Sequence, residues 1–473
     1  MNEDVDRSAS LRYGVYAILV AVATGGMVGR ILAVNSVDLI ALESSLYRQG
    51  RADWQRQRPF LSANDRSRWA TVRSLVEQGT YAIDDIAAQP GWDTIDMVKH
   101  RASDGEPHLY SSKPPLLATI VAAQYWLIYR LTGATLAEYP YEVGRLMLIT
   151  TNVLSMLVYF AVLALLIDRF GTNDWGRIFA FAAAAFGTFL TTFVVALNNH
   201  TPAAMCAAVA LYAAVRIGYD GERRPRWFAV AGFFAAMTAA NELPALALVA
   251  ALALGLLWKA PRETMLAYVP AALVVALAAM GTNYAAHNSL RPPYAHRSQT
   301  DPEDNWYDFT YERNGKTRES YWRDPQGIDR GEPSRLMYAL QTTFGHHGIF
   351  SLTPVWLLSV WGAVLLWRRH HAGELALLIA SVSLVCLAFY LTRSQVDRNY
   401  GGMTSGLRWM FWFAPLWIVA LVPAADRLSA SRAGRITALA LLALSVFSVS
   451  YPTWNPWTHP WLWNLFMHLG WPT

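Results

Sequence analysis

The sequence has 473 residues, of which 54% are hydrophobic and only 15% are charged, and its formal net charge is +5. Apolar runs of helix length recur along it, and about 17–25 apolar residues are enough to cross a bilayer. Most of the positive excess lies in short loops between these runs, which is the usual orientation signal of membrane proteins. The composition therefore excludes a soluble domain and a nucleic-acid partner, and it predicts an all-α polytopic membrane protein.

The apolar runs predict about eleven transmembrane helices. The first is interpreted as a retained span, because its apolar run is too long for a cleavable signal peptide. The predicted spans are 13–34, 143–167, 177–197, 201–218, 227–241, 243–258, 265–283, 349–367, 372–391, 409–425 and 435–450. They define a transmembrane module (1–283) that includes a first outer loop (36–142), an outer-face loop (284–348), and C-terminal helices with an interfacial tail (349–473).

The connectors between these spans fall into two sets that alternate along the chain. One set is basic and is therefore expected in the cytoplasm. The other set carries the unusual polar motifs, which are "NNHTPA" (198–203), "NELP" (241–244), the loop 284–348 and "TRSQVDRNYGGMTSGLRW" (392–409). A transporter would more often place such groups at mid-bilayer. The pattern instead predicts that the polar motifs gather at one face of the membrane.

The apolar run 114–132 decides where the first loop lies. If it crosses the membrane, residues 36–113 are cytoplasmic; if it lies flat or re-enters, the first loop joins the other polar motifs. The charges of the loop permit both arrangements. We predict that the run does not cross, because that arrangement assembles one site at one face.

A lysine and two prolines open this run, at Lys113, Pro114 and Pro115. Proline is tolerated in the first turn of a helix, where its missing N–H has no intrahelical partner. Lysine has no such explanation, because a cation at a helix N-terminus opposes the helix dipole. The residue types therefore predict that an anion lies beside Lys113.

The first loop also supplies a candidate acid. Asp65 stands before a short amphipathic helix that is expected to end near Gly79. Such an acid can serve as a helix cap, which Asp favours, or as a general base. Asp38, which follows the first span more closely, is the rival for the role of base.

The order of these features resembles the first outer loop of the GT-C glycosyltransferases. The similarity lies in "DRSRWATVRSLVEQGTYAID" (65–84) and "SSKPPLLATIVAAQYWLIYRLTG" (111–133). The nearest groups are the aminoarabinose transferases of lipid A and the protein O-mannosyltransferases. The resemblance implies a GT-C-like helical bundle, a polyprenyl-phosphate-linked sugar donor, and an Asp-Glu-x-Arg-Tyr-Ala motif whose first Asp falls on Asp65. Its Lys-Pro-Pro lysine falls on Lys113.

A second stretch, "GGMTSGLRWMFWFAPLW" (401–417), resembles a Gly-Gly…Gly-Pro-Arg-Tyr…Pro pattern of related transferases and points to Arg408. The chain also departs from the family. Arg66 replaces the glutamate of the first motif, and His200 stands nearest the place of a second acid. A histidine can orient a hydroxyl or act as a base, or it can simply cap the following helix. Glu242 can supply the missing carboxylate or be an ordinary turn residue.

Paired histidines occur in "FGHHGIF" (344–350), where His346 and His347 can contact a phosphate or a divalent ion, or belong to a glycine-rich turn. No acid stands at a matching ligand spacing, so no metal ligand is assigned and a divalent cofactor remains only an option. The cysteines, Cys206 and Cys386, lie inside apolar runs and predict no disulfide.

These residues fit one reaction. A lipid phosphate leaves the sugar as an anion, which Lys113 and Arg408 can stabilise. The acceptor must lose a proton, which Asp65 can take as general base. The prediction is an inverting transfer to a lipid, glycan or protein acceptor, in the cytoplasmic membrane of a bacterium with the active site facing the periplasm or exterior. Alternatives are a flippase for lipid-linked glycans, which needs polar groups along a membrane path, and a non-catalytic scaffold for polysaccharide assembly.

Overall fold

The computed structural model describes residues 2–48, 50, 60–101, 105–298, 300–313, 315–369, 372–452 and 455–471, with the backbone alone for 2–7 and 34–47. Most of these residues are helical. The helices are α1 (Asn2–Arg48), α2 (Ala63–Glu77), α3 (Asp84–Ala87), α4 (Pro115–Thr132), α5 (Pro140–Leu148), α6 (Leu154–Phe170), α7 (Asp174–Phe186), α8 (Leu190–Phe193), α9 (His200–Gly218), α10 (Pro225–Asn241), α11 (Leu246–Lys259), α12 (Pro261–Glu263), α13 (Val269–His287), α14 (Arg335–Thr343), α15 (Ile349–Leu352), α16 (Trp356–Trp367), α17 (Gly373–Leu391), α18 (Ala414–Leu428), α19 (Arg432–Ser450) and α20 (Trp461–Leu469).

Several helices of the described chain are long and apolar enough to cross a membrane. These eight segments are Ser8–Ala33, Pro140–Phe170, Asp174–Phe193, His200–Gly218, Pro261–His287, Gly373–Leu391, Arg408–Leu428 and Arg432–Ser450. The predicted spans 243–258 and 349–367 correspond to shorter apolar helices, Leu243–Lys259 and Trp356–Trp367. A mostly helical chain with multiple apolar helices of spanning length is thus confirmed, whereas the count of eleven spans is not.

Two helices differ in extent from the predicted spans. Helix α1 continues to Arg48, beyond its apolar segment Ser8–Ala33, because the chain has no proline or glycine between Gly29 and Gly50. The span 349–367 is interrupted, since helix is lost at Thr353 and Pro354. Proline lacks the N–H that an uninterrupted helix requires there.

Two β-hairpins also interrupt the predicted all-α architecture. Strands β1 (Met97–Arg101) and β2 (Pro107–Ser111) pair antiparallel in the first loop, with Met97 opposite Ser111. Strands β3 (Thr310–Arg313) and β4 (Lys316–Glu319) pair in the outer-face loop. The first hairpin binds this second loop, because the Lys99 N–H donates to Trp306 O at 3.0 Å and Trp322 Nε1 donates to Ile95 O at 2.9 Å.

The basic connectors meet at one end of the bundle, which we call the basic end. Ion pairs join the start of α1, the loop after α6, the loop after α9 and the loops at the ends of α16 and α18. The N···O distances are 3.0 Å for Arg12–Asp168, 3.1 Å for Arg169–Asp220 and 3.8 Å for Arg369–Asp426. The grouping of these connectors agrees with the charge pattern of the sequence.

The polar connectors meet at the opposite end, which we call the motif end. The loop after α8 packs there against the helical stretch 140–170, where Asn152 Nδ2 donates to Val194 O and Ala196 O at 2.9 Å. The first loop joins it through α2, where Arg68 Nη2 donates to Asn199 Oδ1 at 2.7 Å. The polar motifs of the sequence are therefore close together in space.

Helix α4 begins and ends at the motif end. Its Tyr125 hydroxyl donates to Glu77 Oε1 at 2.6 Å at the end of α2, and it accepts from the Leu136 N–H at 2.7 Å. The helical stretch 140–170 follows and reaches the basic end at Asp168. Helix α4 therefore packs along α2 and does not connect the two ends of the bundle.

This arrangement predicts the sidedness of the first loop. We expect Ala88→Cys and Ala137→Cys to be labelled by an impermeant maleimide from the same side of sealed vesicles, and Ala430→Cys at the basic end from the other side. All three positions are exposed, whereas the native Cys206 and Cys386 are buried. Labelling of Ala88→Cys and Ala137→Cys from opposite sides would show that α4 crosses the membrane.

Candidate functional site

Side chains from separate parts of the sequence form a hydrogen-bonded cluster at the motif end. His200 opens α9, Glu242 links α10 to the following 3₁₀ turn, and Arg408 opens the 3₁₀ helix before α18. His200 is completely buried, and Glu242 is 5% exposed. These predicted site residues, which are up to 208 positions apart in sequence, lie in direct contact.

The hydrogen bonds fix the protonation of the histidine. Arg408 Nη1 lies 3.2 Å from His200 Nε2, and because arginine can only donate, this nitrogen of His200 must accept. The proton of the neutral ring is therefore on Nδ1, which donates to Glu242 Oε1 through a short contact. Glu242 orients His200, and His200 in turn holds Arg408. Burial raises the pKa of Glu242 to about 8, against the positive charges of Arg408 and Arg68.

Asn199 joins this group to the first loop. Its Oδ1 accepts from Arg68 Nη2 at 2.7 Å, while its Nδ2 donates to Glu242 Oε1 at 2.7 Å and to Asn241 O at 2.8 Å. Arg68 also donates to Asn64, one turn earlier in α2. The carboxamide therefore fixes the distance between the buried guanidinium of Arg68 and the carboxylate of Glu242.

Lys113 lies at the mouth of α4, as predicted, and its partner is a side chain of the protein. Its Nζ pairs with Asp96 Oδ1 at 3.0 Å, just before β1. Burial lowers the pKa of Lys113; Asp96 raises it, and the positive charges of Arg68 and Arg408 lower it. Lys113, Arg68 and Arg408 therefore lie within one another's electrostatic field. We call these three residues the cation cluster.

The carboxylates of Asp65, Asp96, Glu242 and Asp329 lie in the electrostatic field of the cation cluster, but among the described residues only Asp96 forms a salt bridge with one of its members. In the described part of the chain, neither Arg68 nor Arg408 makes a salt bridge within 4.0 Å. This is unusual, because Arg68 is only 6% exposed and Arg408 is largely enclosed. Burial, and next the positive charge of Arg408, lowers the pKa of Arg68 to about 10. Buried charges are normally paired. Since no carboxylate of the described chain lies within 4.0 Å of Arg68 or Arg408, both guanidinium groups are suited to pair directly with a bound anion.

Asp65 takes a structural position as well as a candidate catalytic one. It is the third residue of α2, and its Oδ1 accepts from the Ser62 N–H at 2.7 Å and from Ser62 Oγ at 2.8 Å. Ser62 Oγ in return accepts from the Asp65 N–H, which completes a capping box. The predicted helix that ends near Gly79 is confirmed as α2. Asp65 is 1% exposed, and burial raises its pKa. The side chain of Asp38 lies outside the described residues.

His346 and His347 lie in an aromatic cluster and make no described contact with the cation cluster. His347 stacks on Tyr400 with ring centroids 4.8 Å apart, and its Nε2 lies 3.1 Å from Thr404 O. His346 packs edge-on against Trp463 at 4.6 Å. Among the described residues, no group of three or more His, Cys, Asp and Glu side chains has the arrangement of a metal site. The predicted role of the pair in phosphate binding gains no geometric support.

Arg68, Asn199 and Asp96 belong to the site but were not singled out from the sequence. Arg68 could have been predicted, because it is the arginine of the Arg-aromatic-Ala pattern in "DRSRWA" (65–70). Asn199 lies in the "NNHTPA" motif (198–203), where only His200 was given a role, and Asp96 carries no such signal. Asp329 of the outer-face loop is a further addition. It accepts from Asn399 Nδ2 at 3.0 Å, and its pKa is raised by burial and by Asp96.

No model of a known protein family matches this chain, and no curated protein matches it.

Proposed function

We propose that this chain is a GT-C-type glycosyltransferase that transfers a sugar from a polyprenyl-phosphate-linked donor to an acceptor at the outer face of the membrane. The observation that carries the proposal is the buried cation cluster at the motif end. A lipid phosphate would supply the direct anionic partner that Arg68 and Arg408 lack within 4.0 Å in the described chain. The membrane proposed is the cytoplasmic membrane of a bacterium, with the motif end facing the periplasm or exterior.

The chemistry divides between cations and a base. As the bond between the anomeric carbon and the phosphate oxygen breaks, negative charge grows on the phosphate, and fixed cations in a site of low polarity stabilise it. Asp65 takes the proton of the attacking acceptor. A single displacement inverts the anomeric centre. His200 and Glu242 position Arg408 through the hydrogen bonds that join them.

The location of the polar groups favours a transferase over a flippase. A flippase requires polar groups along a path through the membrane. Here the charged cluster lies at one end of the bundle, where Lys113, Arg68 and Arg408 meet. The helices between this cluster and the basic end bury mainly alanine, leucine, valine and phenylalanine, as in the buried faces of α7 and α9.

The direct test is binding of a polyprenyl monophosphate to the purified chain in lipid nanodiscs. Lys113→Ala removes one charged donor, and a lost charge-assisted hydrogen bond costs about 1.5–3 kcal/mol, which is roughly 10–150-fold in Kd. Arg330→Ala, an outer-loop cation whose side chain is 61% exposed, is the matched control. Equal affinity in wild type and Lys113→Ala, or equal affinity for the uncharged polyprenol, would contradict the proposal.

The pH dependence of transfer provides a separate prediction. The ionised form of Glu242 accepts the hydrogen bonds from Asn199 and His200, and its pKa is raised to about 8. Since the ionised fraction grows with pH, we expect kcat/KM to rise as the pH increases through about 8. Glu242→Gln should lose this rising limb and keep a low, flat rate. A limb that persists in Glu242→Gln and disappears in Asp65→Asn would assign the titration to Asp65.

A further inference from the structure

A cleft opens at the motif end between the first loop and the C-terminus of α13. Its volume is about 590 Å³, and its walls include Tyr81, Asp84, Asp85, Tyr110, Tyr284 and Asn288. Small-molecule sites typically have volumes of about 300–1,000 Å³. The cleft therefore has the size of a binding site for one or two sugar rings or a ligand of similar bulk.

This cleft leads toward the cation cluster. A smaller cavity lies beside it, and Arg68 and Lys113 are among its lining residues. The cleft and the smaller cavity share Tyr81, Tyr110 and Ala286 in their walls. A ligand in the cleft therefore lies next to a group held at Lys113.

The walls of the cleft suit a hydroxyl-rich ligand. The ring of Tyr284, which is 54% exposed, offers a flat apolar face with a polar edge, and the apolar face of a sugar ring can pack on it. Asp85 is exposed and accepts one long hydrogen bond, from Gln78 Nε2 at 3.5 Å, which leaves acceptor capacity for ligand hydroxyls. Asp84 is engaged by the Leu109 N–H at 3.0 Å and by His108 at 3.3 Å.

The charge of the cleft narrows the class of ligand further. Two neighbouring carboxylates, Asp84 and Asp85, repel phosphate and carboxylate groups, so a neutral or amine-bearing ligand is favoured. The smaller cavity, whose lining includes Lys113 and Pro115, adjoins the cleft through the shared wall residues Tyr81 and Tyr110.

We infer that this cleft is the acceptor site and that the acceptor group is a neutral or amine-bearing sugar residue. The inference rests on the proposed transferase function. In the reaction, an acceptor hydroxyl oxygen forms a bond to the anomeric carbon of the donor sugar, and the bond from that carbon to the phosphate oxygen breaks. The hydroxyl proton passes to the general base, and the polyprenyl phosphate leaves as the anion.

The test blocks the cleft without touching the cation cluster. Asp85→Cys and Tyr284→Cys are made in the full chain, whose native Cys206 and Cys386 are buried, and are treated with a bulky thiosulfonate reagent. The control is Asp324→Cys, an outer-loop acid whose side chain is 82% exposed. Membranes receive polyprenyl-phosphate donors labelled in the sugar, with mannose, glucose and arabinose tried in turn. We expect the reagent to lower transfer at least about tenfold in the cleft variants only, while polyprenyl monophosphate still binds.

The labelled product identifies the acceptor. We expect linkage analysis to find the label on another sugar, in the organic phase if the acceptor is a glycolipid headgroup and in the aqueous phase if it is a free glycan. Label that proteinase K releases as glycopeptides would overturn the inference, and so would full transfer by both blocked variants. Absence of transfer by the wild type from every donor would instead count against the proposed function, which separates the two failures.

Discussion

Asp65→Asn is expected to lower transfer about 10²–10⁴-fold, the usual worth of general acid–base catalysis, while the protein remains folded. Asparagine keeps the size of the side chain and its Oδ1, so it can still accept from the Ser62 N–H and Ser62 Oγ as Asp65 does at 2.7 and 2.8 Å. What it loses is the ability to take a proton. Turnover from a polyprenyl-phosphate sugar and the thermal midpoint of the purified variant measure the two effects separately.

Two further variants separate the capping role from the catalytic one. Ser62→Ala breaks the capping box but leaves the carboxylate of Asp65, so it should lower stability by about 0.5–2 kcal/mol and retain most of the turnover. Asp38→Asn tests the rival acid. If Asp65→Asn turns over like the wild type, Asp65 is only a cap, and loss of turnover in Asp38→Asn would transfer the role of base to Asp38.

The fold was predictable where one local rule decided it. Apolar length located the spanning helices, and Pro115 and Gly133 delimit α4, whose C-cap has φ +72°. The first hairpin was not predictable, because "MVKHR" (97–101) and "PHLYS" (107–111) do not show the alternation of apolar and polar residues that indicates a strand. The extension of α1 to Arg48 was not predictable either, because the helix continues beyond the apolar stretch from which the first span was predicted.

The site residues that could be predicted from the sequence are charged or ionisable side chains next to apolar helices. His200, Glu242 and Arg408 stand at the ends of apolar helices, and the structure brings them into contact. Asn199 and Asp96 are ordinary polar loop residues in sequence, and only tertiary contacts reveal that they bridge the charged groups. The phosphate contact of His346 and His347 stays a prediction, because paired histidines in a glycine-flanked turn can equally pack in an aromatic cluster, as they do here.

Arg408 and Arg398 differ in how many of their guanidinium donors the protein itself occupies. Its guanidinium donates from Nε to Gly401 O at 2.9 Å and from Nη1 to His200 Nε2, and no hydrogen bond from Nη2 occurs in the described part of the chain. Arg398 is 5% exposed and donates to three backbone carbonyls, at 2.7, 2.8 and 2.9 Å. Arg398 therefore has its donors occupied, whereas Arg408 retains one that can reach a phosphate.

We expect Arg408→Lys to lower turnover about 10²–10³-fold, as does removal of one donor that stabilises transition-state charge. Lysine keeps the positive charge but cannot offer a planar fork to both His200 and a phosphate. Arg398→Lys should do the reverse, lowering the thermal midpoint while the affinity for polyprenyl monophosphate and the turnover of the folded fraction stay close to wild type. The measurements are donor Kd, turnover per folded protein and thermal unfolding for both variants. If Arg408→Lys loses stability but keeps its turnover and donor affinity, Arg408 is a structural arginine like Arg398, and the cation cluster loses its role in holding the phosphate.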